Sequence, residues 1–214
     1  MTLLRNRVEA GASVARLIEP LLAEPGALIL GVPRGGVIVG RAVADALGLD
    51  LDVVVVRKLG IPGHDEFGFG AIGEDDAEVL DQATLAAVGL DEATIEAVST
   101  RERTELERRV ATYRAGRPAA SLKGRTVVIV DDGIATGGTI RAAVAVCRAR
   151  EAARVMVAVG VAPADVIQSL GHEADAAVAA LVPEPMHAVG QWYEDFRQTT
   201  DDEVVEALAR TNQT

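Results

Sequence analysis

Cysteine, aromatic residues and long apolar runs are scarce in this 214-residue sequence, and each scarcity excludes a class of protein. The single cysteine, Cys147, cannot form an intrachain disulfide, which is typical of a reducing compartment. No apolar stretch is long enough for a signal peptide or a transmembrane helix, so we expect a cytoplasmic protein. Aromatic residues make up 3% of the chain, and aliphatic side chains must therefore build its core.

Positive charge is also in deficit. Lys and Arg number 21 against 32 Asp and Glu, which gives a formal net charge of −11. Such a surface repels phosphate backbones and anionic lipids, so neither nucleic acid nor a membrane surface is an expected partner. A small polyphosphate remains compatible, provided that backbone N–H groups, a few local cations and a divalent metal bind it.

Short apolar runs alternate with segments of helical periodicity along most of the chain. Strands are predicted over residues 27–32, 51–56, 125–130, 154–161 and 175–181, and helices over residues 37–47, 91–113, 137–150 and 165–170, after an opening helix. Strand–helix–strand units of these lengths form parallel sheets with right-handed crossovers. The fold class is therefore α/β, an open, doubly wound, mostly parallel sheet, and residues 1–214 form a single domain.

Two segments depart from this alternation. Residues 57–73 contain five glycines and a proline, which predicts a long mobile loop that returns as a short ribbon near residues 70–80. We expect this segment, about residues 57–75, to form a flexible lid. Residues 183–214 follow the last strand, and we expect them to form a small hood that ends in a helix starting near Asp201.

The most informative motif is VVIVDDGIATGGTI, residues 127–140. A buried strand ends at Asp131 and Asp132, and a loop of small residues then leads into a helix. Ligands of open α/β sheets bind at the carboxyl ends of strands. Gly137 and Gly138 allow close approach of the backbone, and the N–H groups at a helix start attract phosphate. The two carboxylates can instead accept hydrogen bonds from a diol. A phosphate site beside a diol site suits ribose 5-phosphate.

This motif resembles the signature of type I phosphoribosyltransferases, which bind phosphoribosyl pyrophosphate (PRPP). The resemblance implies that Asp131 and Asp132 hold the ribose hydroxyls and serve catalysis together with Lys58. It assigns the 5′-phosphate to five loop residues: Ala135, Thr136, Gly137, Gly138 and Thr139. The family reaction transfers ribose 5-phosphate to an acceptor and releases pyrophosphate. Mg²⁺ arrives with PRPP near the two aspartates, so a metal site made by the protein alone is not expected.

Two further segments follow the family order. In PRGG, residues 33–36, the resemblance implies pyrophosphate binding by Arg34 and Gly35 and a cis peptide between Pro33 and Arg34. In the lid, it assigns pyrophosphate to Arg57 and Lys58. Taken alone, PRGG is equally compatible with a tight turn whose arginine is solvated, and the Arg57–Lys58 pair with a charged strand exit.

Other nucleotide-binding patterns fit less well. The run VVIVDD is also typical of a Walker B strand, but the chain contains no G-x-x-x-x-G-K-[ST] loop. GVPRGG does not supply the G-x-G-x-x-G of a dinucleotide fold. A nucleotide hydrolase would therefore lack half of its site.

The acceptor is less clearly indicated. Ala135 replaces the loop aspartate of hypoxanthine-guanine phosphoribosyltransferases, and the loop is closer to that of adenine phosphoribosyltransferases. Glu66 could supply a carboxylate, although a solvated acid is the simpler interpretation. Trp192 could stack on a nucleobase, or it could cap the core with Tyr193. The whole arrangement also resembles bacterial phosphoribosyltransferase-domain proteins without an assigned acceptor.

Three functions remain open. The first is an enzyme of nucleotide salvage that transfers ribose 5-phosphate from PRPP to a nucleobase-like acceptor. The second is a non-catalytic PRPP-binding regulator, and the third is a ribose-phosphate hydrolase or phosphorylase. Family members commonly dimerise, so a homodimer through the helix over residues 91–113 is one assembly that the resemblance suggests.

Overall fold

A computed structural model describes residues 3–22 and 26–210, apart from the side chains of residues 64–67. Its strands are β1 (Leu28–Gly31), β2 (Asp50–Val53), β3 (Val56–Ile61), β4 (His64–Gly73), β5 (Glu78–Leu80), β6 (Thr126–Gly133), β7 (Arg154–Val161) and β8 (Ala176–Leu181). Its α-helices are α1 (Arg7–Ile18), α2 (Gly35–Leu47), α3 (Gln82–Val88), α4 (Glu92–Arg114), α5 (Gly138–Ala149), α6 (Ala164–Leu170) and α7 (Asp201–Ala209).

The main sheet has five strands in the order β2-β1-β6-β7-β8. All neighbouring pairs in it are parallel. The strand β1 pairs with β2 on one side and with β6 on the other, so the chain reverses its winding direction between β1 and β6. Such a switch point opens a crevice at the carboxyl ends of the two strands. The predicted α/β fold class is confirmed.

Alternation along the strands builds a core on each face of the sheet. Val127 and Ile129 point into the cluster under α5, whereas Val128 and Val130 point into the cluster under α1 and α2. All four side chains are fully buried. Because both faces are covered by helices, these strands read as continuous apolar runs, which is why the sequence predicts them well.

Cys147 lies on α5 in the first of these cores and is fully buried. Burial raises the pKa of its thiol to about 12, so almost no reactive thiolate exists at pH 8. We expect iodoacetamide to leave the native protein unmodified at pH 8 and to label it stoichiometrically in 6 M guanidinium. Mass spectrometry of both samples checks this. Rapid labelling of the native protein would contradict the packing of α5.

The segment after β2 differs from the sequence expectation. The predicted strand over residues 51–56 is divided, because β2 ends at Val53 and β3 starts at Val56 in a separate sheet. Residues 57–73, expected as a loop that returns as a short ribbon near residues 70–80, form the strands β3 and β4 of an antiparallel sheet with the order β3-β4-β5. The pairing of β4 with β5 is the predicted ribbon. The glycines favoured a loop in the prediction, but in the structure they allow close packing of the strands. A Cβ on Gly70 would lie 2.5 Å from the carbonyl oxygen of Val79.

A buried ion cluster fastens this ribbon to the main sheet. Arg114, at the end of α4, bonds through Nε and Nη2 to the Glu74 carboxylate and through Nη1 to Oδ1 of Asp52 at 3.0 Å. The side chains of Arg114 and Glu74 are only 7% and 4% exposed. Glu74 follows β4 and Asp52 lies on β2, so one guanidinium connects the two sheets.

The C-terminal segment returns along the first helix. Leu4 donates from its N–H to the Trp192 carbonyl at 2.9 Å, and its own carbonyl accepts from Glu194 N–H at 2.8 Å. The helix α7 starts where expected, after a capping box between Thr200 and Glu203. The short helix α3 was not predicted. Within the described ranges, no helix combines the length and the apolar character needed to cross a membrane.

Candidate functional site

Two strand-to-helix loops meet at the switch point between β1 and β6. The N–H of Val32 donates to the Val130 carbonyl at 2.9 Å and holds the two loop starts together. A Cβ on Gly36 would lie 2.5 Å from that same carbonyl oxygen and 2.8 Å from the Cα of Asp131. Only glycine fits there, so the PRGG segment packs directly on the aspartates. The peptide between Pro33 and Arg34 is cis, which confirms the expectation.

The loop after β6 forms a hollow at the start of α5. Gly137 adopts a left-handed conformation, with φ of 84°, and precedes the first helical residue, Gly138. The cavity measures about 300 Å³. It is lined by Lys58, Asp131, Gly133, Ile134, Ala135, Thr136, Gly137, Gly138, Thr139 and Ile140. All five residues assigned to the 5′-phosphate therefore line one hollow, beside Asp131.

Arg141 fixes the shape of this loop. Its Nη1 donates to the Thr136 carbonyl at 2.9 Å, its Nη2 to the Ser169 hydroxyl at 2.9 Å and its Nε to Glu173 at 2.7 Å. One arginine thus links the loop to α6 and to the segment after it. The sequence did not indicate this role, because Ser169 and Glu173 lie 28 and 32 residues away.

Gly138 provides a test of the hollow that leaves the fold intact. A Cβ there would meet only the Lys58 side chain, at 3.6–3.7 Å, which is ordinary van der Waals contact. Gly138→Ala should therefore leave the melting temperature unchanged or slightly raised, since alanine favours a helix by about 1 kcal/mol over glycine. The added methyl group faces the hollow, and we expect PRPP affinity to fall by about tenfold or more, a loss of roughly 1.4 kcal/mol. Calorimetry and thermal melts measure the two effects, and unchanged affinity would contradict the assignment.

The two aspartates differ in their surroundings. Asp131 accepts the N–H of Asp132 on Oδ1 at 2.8 Å. Burial, together with the negative charge of Asp132, raises the pKa of the Asp131 carboxyl well above its usual range. Asp132 instead meets a cation: Arg7 Nε donates to its Oδ2 at 2.7 Å. Its carbonyl accepts the Tyr193 hydroxyl at 2.6 Å. Arg7 and Tyr193 lie far from the motif in sequence.

Lys58 and Arg57 point to opposite sides of β3. Lys58 lines the hollow next to Gly138. Arg57 turns to α4, where its Nε and Nη2 donate to Oε2 of Glu102 at 2.8 and 2.5 Å. Burial favours the neutral form of Glu102, but the hydrogen bonds from Arg57 and Arg101 outweigh it and lower the pKa. Successive strand residues face opposite sides, so the structure brings Lys58 to the loop after β6 and Arg57 to α4.

Arg34 and Gly35 were both assigned to pyrophosphate, but only Gly35 packs against the aspartates. A Cβ on Gly35 would overlap the Asp132 carboxylate, so this glycine is required by the site. The Arg34 guanidinium turns to the start of α7, with Nη1 3.8 Å from Oδ1 of Asp201. The same Asp201 oxygen accepts the Tyr113 hydroxyl at 2.9 Å.

Trp192 packs against the core cluster under α1 and α2, together with Tyr193. Its indole nitrogen is buried, without a hydrogen-bond partner among the residues described. The core-capping interpretation accounts for these contacts, and stacking on an acceptor stays a prediction. The side chain of Glu66 lies outside the described part of the chain.

Hard oxygen donors suit Mg²⁺, and the site offers two carboxylates on β6: Asp131, which lines the hollow, and its neighbour Asp132. No group of three or more His, Cys, Asp or Glu side chains that could hold a metal occurs within the parts of the chain that the structure describes.

The comparison with known proteins agrees with this geometry. Rv0571c of Mycobacterium tuberculosis, named provisionally as a phosphoribosyl transferase, is 44% identical over 212 residues, which are 99% of this chain and 48% of that protein. The chain thus spans about half the length of this relative. The crystal structure of TT1426 from Thermus thermophilus matches with a TM-score of 0.90 and 43% identity, over 97% of this chain and 98% of that one. The model of the phosphoribosyl transferase domain matches residues 8–173, and the chain belongs to this type I phosphoribosyltransferase family.

Proposed function

We propose that this protein transfers ribose 5-phosphate from PRPP to a nucleobase-like acceptor and releases pyrophosphate. One observation carries the proposal. A single strand-to-helix segment presents carboxylates at Asp131 and Asp132 and, six residues after Asp132, the N–H groups at the start of α5. This spacing offers hydrogen-bond acceptors to a diol and donors to a phosphate of the same small sugar.

The groups around the loop suit the rest of the donor. Gly35 and Gly36 bring the PRGG backbone against the aspartates, so a pyrophosphate on ribose C1 would meet that loop. Lys58 adds a cation on the 5′-phosphate side. In a chain with a net charge of −11, such local cations and oriented N–H groups must supply the attraction for a polyphosphate.

In the reaction, the bond between ribose C1 and the pyrophosphate oxygen breaks, a bond from C1 to an acceptor nitrogen forms, and that nitrogen releases its proton to solvent. Mg²⁺, when bound with PRPP near Asp131 and Asp132, would supply positive charge for the leaving pyrophosphate. The contribution of the protein is to position the ribose through these two carboxylates and to hold the 5′-phosphate on residues 135–139. Lys58 favours anionic groups in the hollow through its charge.

The experiment is a measurement of pyrophosphate release from PRPP and Mg²⁺ in the presence of individual nucleobases, adenine among them. We expect turnover with at least one base, and its loss in Asp131→Asn/Asp132→Asn. A Lys123→Gln variant is the matched control, since Lys123 is exposed and pairs with Glu151 away from the loop. Absence of PRPP binding by the wild-type protein would overturn the proposal.

A second candidate, a PRPP-binding regulator without turnover, is favoured by one observation. Two of the three cations expected at pyrophosphate are paired with carboxylates of the protein, because Arg57 bonds to Glu102 and Arg34 Nη1 lies 3.8 Å from Oδ1 of Asp201. The same assay separates the candidates. Tight PRPP binding without turnover across a broad panel of bases would support the regulator.

A further inference from the structure

Arg7 contacts the candidate site although it lies 125 residues before Asp132 in the sequence. It is the first residue of α1, whose start is fixed by Asn6, since the Asn6 side chain accepts the N–H groups of Val8 and Glu9. From there the guanidinium reaches the end of β6, and Nε donates to Oδ2 of Asp132 at 2.7 Å. The two side chains are only 11% and 14% exposed. A charge-assisted bond in such a shielded place is stronger than one at the surface.

The contacts of Arg7 hold its guanidinium plane in one orientation. Its Cζ lies 4.2 Å above the centre of the Phe196 ring, and its Nη1 donates to the Arg197 carbonyl at 2.8 Å. The Phe196 ring in turn packs against the Tyr193 ring, with 5.0 Å between their centres. Because the Phe196 ring and the Arg197 carbonyl already hold the guanidinium, its bond to the carboxylate costs little further side-chain entropy.

Asp132 is consequently held from several sides. Arg7 bonds to the carboxylate, and the Tyr193 hydroxyl donates to the carbonyl of the same residue at 2.6 Å. Gly35 packs so closely that a methyl group there would overlap Oδ2 of Asp132 and lie 2.7 Å from Nε of Arg7. The PRGG loop, the end of β6 and the helix α1 therefore meet at the ion pair between Arg7 and Asp132.

We infer that Arg7 is a positioning residue for the donor site: it orients the Asp132 carboxylate towards the ribose hydroxyls and balances its charge beside the PRGG loop. This inference rests on the proposed function. A purely structural salt bridge would serve to attach α1 to the sheet. That attachment already exists, because Ala10, Val14 and Ile18 of α1 are fully buried in the core. The orientation of Asp132 is what the ion pair adds.

The test is a double-mutant cycle on PRPP affinity, measured by calorimetry with Mg²⁺. Arg7→Gln should weaken binding roughly 10- to 100-fold, the range for a hydrogen bond to a charged group. In an Asp132→Asn background, the same substitution should change affinity less than about threefold, since its target is already neutral. Arg7→Lys keeps the positive charge but not the planar guanidinium, so it should reduce PRPP affinity less than Arg7→Gln does.

Arg16→Gln is the matched control, because Arg16 lies exposed on the same helix and bonds only to Ser13 among the described contacts. It should leave affinity unchanged. Thermal melts identify any variant that does not fold, and Arg7→Lys then provides the comparison. Three results would overturn the role of Arg7. Arg7→Gln could reduce PRPP affinity equally in the wild-type and Asp132→Asn backgrounds, Arg7→Lys could reduce it as much as Arg7→Gln, or neither substitution could reduce it. If the wild-type protein does not bind PRPP, the proposed function fails instead.

Discussion

Asp131→Asn/Asp132→Asn is expected to weaken the binding of Mg²⁺–PRPP by about 2–4 kcal/mol, because two hydrogen bonds to charged acceptors are lost from the ribose. Asp131 lines the hollow at the start of α5, and Asp132 follows it in β6. Calorimetry of wild type and variant measures the difference. Unchanged affinity in a folded variant would contradict the diol assignment.

The single variants supply the control for folding. Asp131 has a raised pKa because of burial and the charge of Asp132. A carboxyl whose pKa rises on folding destabilises the folded protein above its unfolded pKa, so Asp131→Asn should maintain or raise stability at pH 7. Asp132→Asn leaves Arg7 without its carboxylate and should cost about 1–3 kcal/mol. A loss of PRPP affinity in the more stable variant cannot be attributed to unfolding.

Arg114→Met is expected to lower the free energy of unfolding by about 3–5 kcal/mol, since it leaves a buried carboxylate without its counter-charge. Glu74 is 4% exposed in its side chain and bonds to Arg114 through both oxygens. Urea titration followed by circular dichroism measures the change. The same loss should weaken the attachment of the β3-β4-β5 ribbon, which carries Lys58 to the site.

Arg108→Met is the matched control on the same helix. Arg108 pairs with Glu105, and the Arg108 side chain is 60% exposed. Exposed pairs contribute about 0.2–1 kcal/mol, so this variant should remain close to wild type. If Arg108→Met and Arg114→Met destabilised the protein equally, the buried cluster would not be the connection between the two sheets.

The sequence predicted the main sheet because its strands are buried on both faces. Runs such as Val127–Val130 carry no alternation, and their length and flanking turns are sufficient to place them. The shape of the loop after β6 was also predictable, since it depends on local backbone geometry at Gly137 and Gly138. The conformation of such a loop depends on its own residues more than on distant contacts.

The ribbon near residues 70–80 was predicted, but the pairing of β3 with β4 and the charged partners could not be predicted in the same way. Glycine at positions 68 and 70 predicts a loop by propensity, but tertiary packing uses both residues for close strand contact. The side on which Arg57 or Lys58 lies depends on strand register, which the loop interpretation does not supply. The pairing of Arg7 with Asp132 spans 125 residues, and the segment before Arg7 is held in place by backbone hydrogen bonds to residues 192–195.

The most direct measurement is a crystal structure of the protein with PRPP and Mg²⁺ bound. We expect the 5′-phosphate on the backbone of residues 135–139 and the ribose hydroxyls on Asp131 and Asp132. Arg7 should remain bonded to Asp132, and pyrophosphate should lie along the PRGG loop. Clear density for PRPP at another place, with the loop of residues 135–139 empty, would contradict this binding mode.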